Sequence, residues 1–220
     1  MNITQGIILE NFKHLSFDLW LTLIKSHPDF KLKRSELFKN FFKIPNSLEE
    51  IHFQIKKWDD RCNSMNETTG LNLNTFEIYL LILAEFDIYP DRESLEEFYL
   101  ESEKLFLEFP PLALNIFDEE FFIKVKDLGI TTNILSNTGF IKGKTLNKVI
   151  STLPFGKYID FKIYSDETGY SKPNPLMFEE IKNNIDYPIS SSEILHIGDN
   201  PFADVEGATR AGLQAYLVKI

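Results

Sequence analysis

The sequence predicts an α/β fold, a doubly wound parallel-sheet (Rossmann-like) core with an inserted all-helical domain. Three observations predict it. Short apolar runs bounded by turn residues recur at 15–20, 131–136, 161–165, 194–197 and 214–218, as strands buried on both faces do. Helical patterns separate the later runs, and alternation of this kind implies a parallel sheet covered on both sides. Between the first run and the rest, residues 24–110 carry helical texture and no convincing strand.

Taken in order, the first strand ends at or near Asp18. Pro28 then precedes a Lys- and Phe-rich helical stretch, and Ser47 with Glu50 three residues on reads as a capping box. Further helices are expected at about 74–86 and 94–107. Phe109-Pro110-Pro111 is the linker back to the sheet. The next helix opens on Asp118-Glu119-Glu120, where acids suit the helix dipole, and closes at Gly129, which suits a left-handed stop. Residues 176–185 and 202–213 read as later helices. The expected organisation is a core of 1–24 and 111–220, with 25–110 as the helical insertion.

Composition narrows the functional classes. The 220 residues are 43% hydrophobic and 25% charged, as in an ordinary globular protein. The formal net charge is −10 and no basic block occurs, so nucleic acid is not an expected partner. An anionic substrate would need a local lysine, metal ion or helix N-terminus to hold it. Cys62 is the only cysteine, which excludes an intrachain disulfide and fits a reducing cytoplasm. Residues 1–14 show no secretory pattern, and the longest apolar stretch, 78–86, is too short for a bilayer. The expectation is a cytoplasmic protein without a membrane partner; oligomeric state is not readable. The twenty phenylalanines read as core packing.

Four islands carry chemistry. Phe17-Asp18-Leu19-Trp20-Leu21-Thr22 puts a carboxylate at a strand end, where ligands bind in doubly wound sheets and where it can act as a nucleophile. Ile134-Leu135-Ser136-Asn137 offers a hydroxyl and an amide to phosphate oxygens. In Ser171-Lys172-Pro173 the proline favours an extended lysine, which can neutralise a nucleophile or a transferring phosphoryl group. Gly198-Asp199-Asn200-Pro201-Phe202-Ala203-Asp204 places two acids five apart across a turn, hard oxygen donors of the kind Mg2+ takes. Each island alone is also an ordinary turn, cap or solvated charge. Their order and their common position at strand ends give them weight together.

These residues resemble the haloacid dehalogenase superfamily of aspartyl-nucleophile hydrolases. The resemblance implies Asp18 as nucleophile and Lys172 as its cationic partner. It implies Thr22, Ser136, Asn137 and Lys172 as substrate binders. A Mg2+ site would comprise Asp18, the Trp20 backbone carbonyl, Asp199 and Asp204, with Asp204 supporting the shell or orienting Lys172. The insertion resembles the cap of one large subgroup. Trp20 departs from the phosphatase form, which carries a general-acid aspartate there; indole cannot take that role. Dehalogenases of the superfamily carry an aromatic residue at this place but no acid at the position of Asp199. The expected function is a Mg2+-dependent phosphatase acting on a small phosphorylated metabolite through an aspartyl-phosphate. A 2-haloacid dehalogenase-type hydrolase and a low-turnover phosphate-ligand binder are the alternatives. His27, just past the first island, is either a replacement acid or a solvated histidine.

Overall fold

The structure is a computed structural model that describes residues 7–219. The first six positions of the expected segment 1–24, and Ile220, lie outside the described residues. Strand β1 (His14–Phe17) is followed by the short β2 (Ile24–Lys25) and helices α1 (Phe30–Phe41), α2 (Leu48–Thr69), α3 (Thr75–Ala84) and α4 (Arg92–Glu108). The chain then runs through β3 (Leu112–Ala113), α5 (Glu119–Asp127), β4 (Thr131–Ser136), α6 (Gly143–Ile150), β5 (Phe161–Tyr164), α7 (Ser165–Thr168) and α8 (Pro175–Asn183). It ends with β6 (Ile194–Gly198), a π-helical turn at Pro201–Glu206, α9 (Gly207–Arg210) and β7 (Gln214–Leu217).

The main sheet is parallel throughout, in the order β5-β4-β1-β6-β7. All four residues of β1 are buried, as a central strand covered on both faces requires. The chain fills one side of β1 with β4 and β5, then crosses to the other with β6 and β7. The reversal leaves a crevice beyond the carboxyl end of β1, where such folds bind ligands. Alternation along β4 sends Ile134 to one apolar layer and Leu135 to the other. The larger layer continues into the insertion. There, Phe38, Phe98 and Tyr79 meet edge to face, with Phe38 and Phe98 ring centroids 4.5 Å apart. Many of the phenylalanines are therefore packing residues, as their number implies.

Local signals set most boundaries. Ser47 caps α2 in a full capping box with Glu50, and Asp118 caps α5 by accepting from the Phe121 N–H. Two expectations need correction. The β2–β3 ribbon pairs Ile24 with Ala113 and Lys25 with Leu112, so a strand does occur at 24–25, where none was expected. Two residues are too few to show a period. The helix expected over 202–213 is instead the π-helical turn followed by the four-residue α9. No helix among the described residues is long and apolar enough to cross a membrane.

Candidate active site

Asp18 leaves the sheet immediately after β1. Its backbone N–H donates to the Ile197 carbonyl (2.8 Å), which fixes the turn to the neighbouring strand β6. Beyond β6, Gly198 has Asp204 packed against it: a Cβ there would lie 2.2 Å from Asp204 Oδ2. Only glycine permits that approach. Asn200 caps the following turn, accepting from the N–H groups of Phe202 and Ala203. These restraints gather one ligand oxygen each from Asp18, Asp199 and Asp204 to within 4.8 Å of one another.

Lys172 threads between two of the acids. Its Nζ donates to Asp18 Oδ1 (2.7 Å) and Asp204 Oδ1 (2.6 Å), and the side chain is 2% exposed. Burial alone would lower the lysine pKa, but Asp18 and Asp204 more than reverse it and hold the ammonium charged. Asp204 is buried too, yet Lys172 and His196 pull it well below the usual carboxylate range. Burial raises the Asp18 carboxyl, against the pull of Lys172 and with repulsion from Asp204 and Asp199. Burial and Asp204 raise Asp199 in the same way. Three acids thus share one lysine.

Both Asp204 oxygens are engaged. Oδ1 accepts from Lys172 and from His196 Nε2 (3.1 Å), and Oδ2 accepts from the Asn200 N–H (3.0 Å). Asp18 Oδ1 takes Lys172, and no hydrogen bond within the described residues reaches its Oδ2.

The remaining expected residues divide. Asn137 lines the cavity, but its amide clamps the Lys172 backbone: Nδ2 donates to the Lys172 carbonyl (3.0 Å) and Oδ1 accepts from its N–H (2.7 Å). That pair positions the lysine and uses one of the two Nδ2 hydrogens. Ser136 is fully buried, donates to the Asn137 carbonyl (3.0 Å) and is absent from the cavity lining. The helix after this strand begins only at Gly143, so it brings no N-terminus to Ser136. Thr22 is buried and lines a separate small cavity near Phe117 and Phe122, with its hydroxyl near enough to Asp199 to favour that carboxylate's charged form. His27 accepts from the Asp29 N–H (3.2 Å) and packs on Phe109, outside the cavity lining. Trp20 is half-buried, lines the cavity and meets Phe106 edge to face.

The insertion closes over the site and supplies residues that motif reading missed. The end of α2 is pinned to the Lys172 loop: Ser171 N–H and Asn174 Nδ2 both donate to the Gly70 carbonyl (3.0 Å each). Glu67, on the last turn of α2, accepts from Asn200 Nδ2 (2.9 Å) and faces the acidic trio. The cavity, partly open to solvent, holds about 380 Å³ and is lined from the insertion by Phe30, Arg34, Asp59, Asn63, Glu67 and Phe106, among others.

A parallel sheet with this strand order carries a helical insertion after its first strand and an acidic trio with a buried lysine at its carboxyl end. The HAD-hydrolase-like family model matches residues 169–220, the stretch holding Lys172, Asp199 and Asp204. The ribulose-1,5-bisphosphate 5-phosphatase of Halopiger xanaduensis is 32% identical over 91 residues, 41% of this chain and 34% of that enzyme. The matched part thus spans about a third of that relative's length. The HAD-hydrolase YfnB of Bacillus subtilis, solved with magnesium bound, superposes with a TM-score of 0.66 at 20% identity, covering 94% of this chain and 89% of that one. The L-2-haloacid dehalogenase of Xanthobacter autotrophicus gives 0.62 at 17%, covering 94% and 77%. The C-terminal stretch is thus similar in sequence to HAD-hydrolase-like proteins, and the fold as a whole is similar to that of these solved structures.

Proposed function

We propose that the protein is a Mg2+-dependent phosphatase acting on a small phosphorylated metabolite through an aspartyl-phosphate on Asp18. The observation that carries this reading is the gathering of three carboxylates around a single buried lysine at the sheet's switch point. That donor set fits a divalent cation: the ligands are hard oxygens, and burial together with repulsion between neighbouring carboxylates raises the pKa of both Asp18 and Asp199. Asp18, Asp199 and the Trp20 backbone carbonyl would hold Mg2+, which supplies charge neutralisation to the acids and the phosphoryl oxygens. Asp204, its oxygens engaged, supports this site by fixing Lys172 and the Asp199 turn.

The chain's own residues then do the following. Asp18 Oδ2 attacks phosphorus, the bond from phosphorus to the ester oxygen breaks, and the leaving oxygen takes a proton. Water then attacks the aspartyl-phosphate and releases phosphate. Lys172 balances charge on Asp18 and on the moving phosphoryl group. Trp20 occupies the place of the usual acid, whose help is typically worth about 10²–10⁴ in rate. Glu67 is the carboxyl available for that proton: it faces the cavity, and burial raises its pKa.

Trp20 also favours a second reading, attack on carbon with loss of halide, as in the dehalogenases. Asp199 opposes it, because two neighbouring carboxylates without a cation disfavour each other's ionised form. A third reading, a phosphate-ligand binder with little turnover, separates by the same experiment. Phosphate monoesters and 2-haloacids are assayed with and without Mg2+, beside Asp18→Asn and Glu67→Gln. The proposal expects Mg2+-dependent phosphate release that Asp18→Asn abolishes, with alkyl esters slowed more than aryl esters in Glu67→Gln. Halide release without metal would replace the phosphatase by a dehalogenase. Ligand binding with no turnover of a nitrophenyl ester, which needs no acid, would leave the binder.

A further inference from the structure

We propose that the substrate carries a second anionic group, carboxylate or phosphate, which Arg34 binds on the insertion side of the cavity. The inference rests on the phosphatase reading for the first anion and names the substrate class for the second. Arg34 lies on the buried face of α1, between Phe30 and Phe38 at four-residue spacing, and is 6% exposed. Its guanidinium stacks on Phe140 (3.9 Å from atom to ring centroid) and approaches Phe30 (5.7 Å). Among the described residues it makes no hydrogen bond. The nearest carboxylate oxygen, Asp59 Oδ2, is 3.8 Å from Nη2, too far for one, and Nε is buried with no partner.

A guanidinium presents five donors in a rigid fork and keeps its charge when buried. Buried donors are almost always paired, so a fork that is only loosely ion-paired with Asp59 and makes no hydrogen bond is matched to an acceptor that arrives with the ligand. Arg34 lines the same cavity as Asp18 and Lys172, so one small molecule reaches both ends. Lys31, one helical turn earlier, lines it too and adds to the positive end. The two aromatic rings fix the guanidinium plane, and carboxylate and phosphate both match its geometry in bidentate fashion. An ester with a neutral tail would leave the fork unpaired, and sites with buried unpaired polar groups discriminate strongly.

The test compares matched esters in steady state with Mg2+: 2-phosphoglycolate for the carboxylate tail, 1,3-propanediol bisphosphate for the phosphate tail and ethyl phosphate for the neutral tail. The expected kcat/KM is at least about tenfold higher for an anionic tail, mostly through KM. Folded Arg34→Gln should lose that preference, and Arg34→Lys should keep part of it. Which anionic tail leads identifies the second group. Absence of preference in the wild type, or its survival in folded Arg34→Gln, overturns the proposal. Calorimetric titration of the wild type with phosphonoacetate and ethylphosphonate needs neither variant nor turnover. Phosphonoacetate should bind at least about tenfold more tightly; equal affinities overturn the Arg34 site. Tight phosphonoacetate binding with no ester hydrolysed would uphold the second-anion site and remove the phosphatase reading instead.

Discussion

At the start of β1, His14 is enclosed in a neutral network: its Nε2–H donates to Asn133 Oδ1 (2.8 Å), the Thr131 hydroxyl donates to its Nδ1 (2.7 Å), and Phe161 stacks on the ring. Burial holds that imidazole uncharged, with its pKa lowered to about 4. Just past the other end of the same strand, Asp18 stands among two further acids and one lysine. Both ends are buried in the same sheet, yet one is nearly saturated with uncharged hydrogen bonds and the other is crowded with charge. The first arrangement stabilises a fold and does no chemistry. The second is costly in the resting protein, and crowded buried charge of this kind clusters at functional sites. The contrast locates function by what each end leaves unsatisfied.

The comparison breaks most directly by exchanging losses. Asp18→Asn should reduce phosphate release to below about 0.1% of wild type, because an amide does not attack phosphorus. It should retain the melting temperature, since it thins a crowded set of acids. His14→Gln should do the reverse, keeping most of the turnover while losing about 1–3 kcal/mol of stability through unpaired buried groups. Parallel rate assays and thermal melts read both. A stable His14→Gln protein with lost activity would end the division of labour.

Lys172→Met cuts at the charged end alone. It strips Asp18 and Asp204 of their shared cation, and breaking a buried pair typically costs about 3–5 kcal/mol. The loss carries a pH signature. Without the lysine both carboxyls titrate higher in the folded state, so protonation relieves the repulsion and the deficit shrinks as pH falls. Denaturant titrations at pH 8 and pH 5 check it. A deficit that is the same at both would mean that Lys172 acts through packing.

How much of this was legible in the sequence follows from the same physics. Strand β4 was read at its observed bounds, because a run of buried residues ending in Ser136-Asn137 is unlike its flanks. Asp18 and Asp199 at the ends of β1 and β6, and Lys172 in the loop before α8, were readable as candidates because their order and common setting gave them weight together. The apolar run around β1 extends through Trp20, whereas the strand stops at Phe17, because Asp18 already turns toward the crevice. The roles of Asn137, Ser136 and Thr22 were not legible: the residue type shows that a polar group is present, but the rotamer decides whether it faces the ligand or the lysine backbone. The insertion side was hidden, since Glu67 and Asp59 look like any solvated helix face until α2 docks on the core. Arg34 left one trace, a charge at four-residue spacing between Phe30 and Phe38.

The neutral end sharpens the comparison through its pH dependence. His14 has a folded pKa of about 4 against 6.5 in an ordinary histidine. Between those values the unfolded chain takes the proton and the folded one does not. Stability from this source is therefore complete above about 6.5, falls as pH drops, and stops falling below about 4. At about 1.4 kcal/mol per unit from 6.5 down to about 4, the loss approaches about 3.5 kcal/mol. His196 is buried and lowered as well, so the wild-type slope contains both. The difference between wild type and His14→Gln isolates the first. Equal slopes would show that His14 carries a proton in the fold.

The smallest effect, and the one that asks what the charged end lacks, is stabilisation by the metal. An ion that binds the folded chain and not the unfolded one raises stability by an amount set by its concentration over its dissociation constant, about 2.7 kcal/mol at a hundredfold excess. For a chain of this size each kcal/mol moves the melting temperature by about 2–4 °C. Mg2+ should therefore raise the melting temperature of wild type and of His14→Gln alike, since the neutral end has no part in holding it. Asp199→Asn should lose most of that rise, because it removes a half-buried oxygen donor of the acidic trio, one that makes no bond to Lys172. Asp18→Asn should lose part of it, and Lys172→Met should melt with a larger rise than wild type, because its acids have no other cation. The order of those five rises separates a cation site from general charge screening. A monovalent salt matched in ionic strength would screen all the acids alike and leave the order flat. Equal rises across the set would mean that the acidic trio is not where Mg2+ binds.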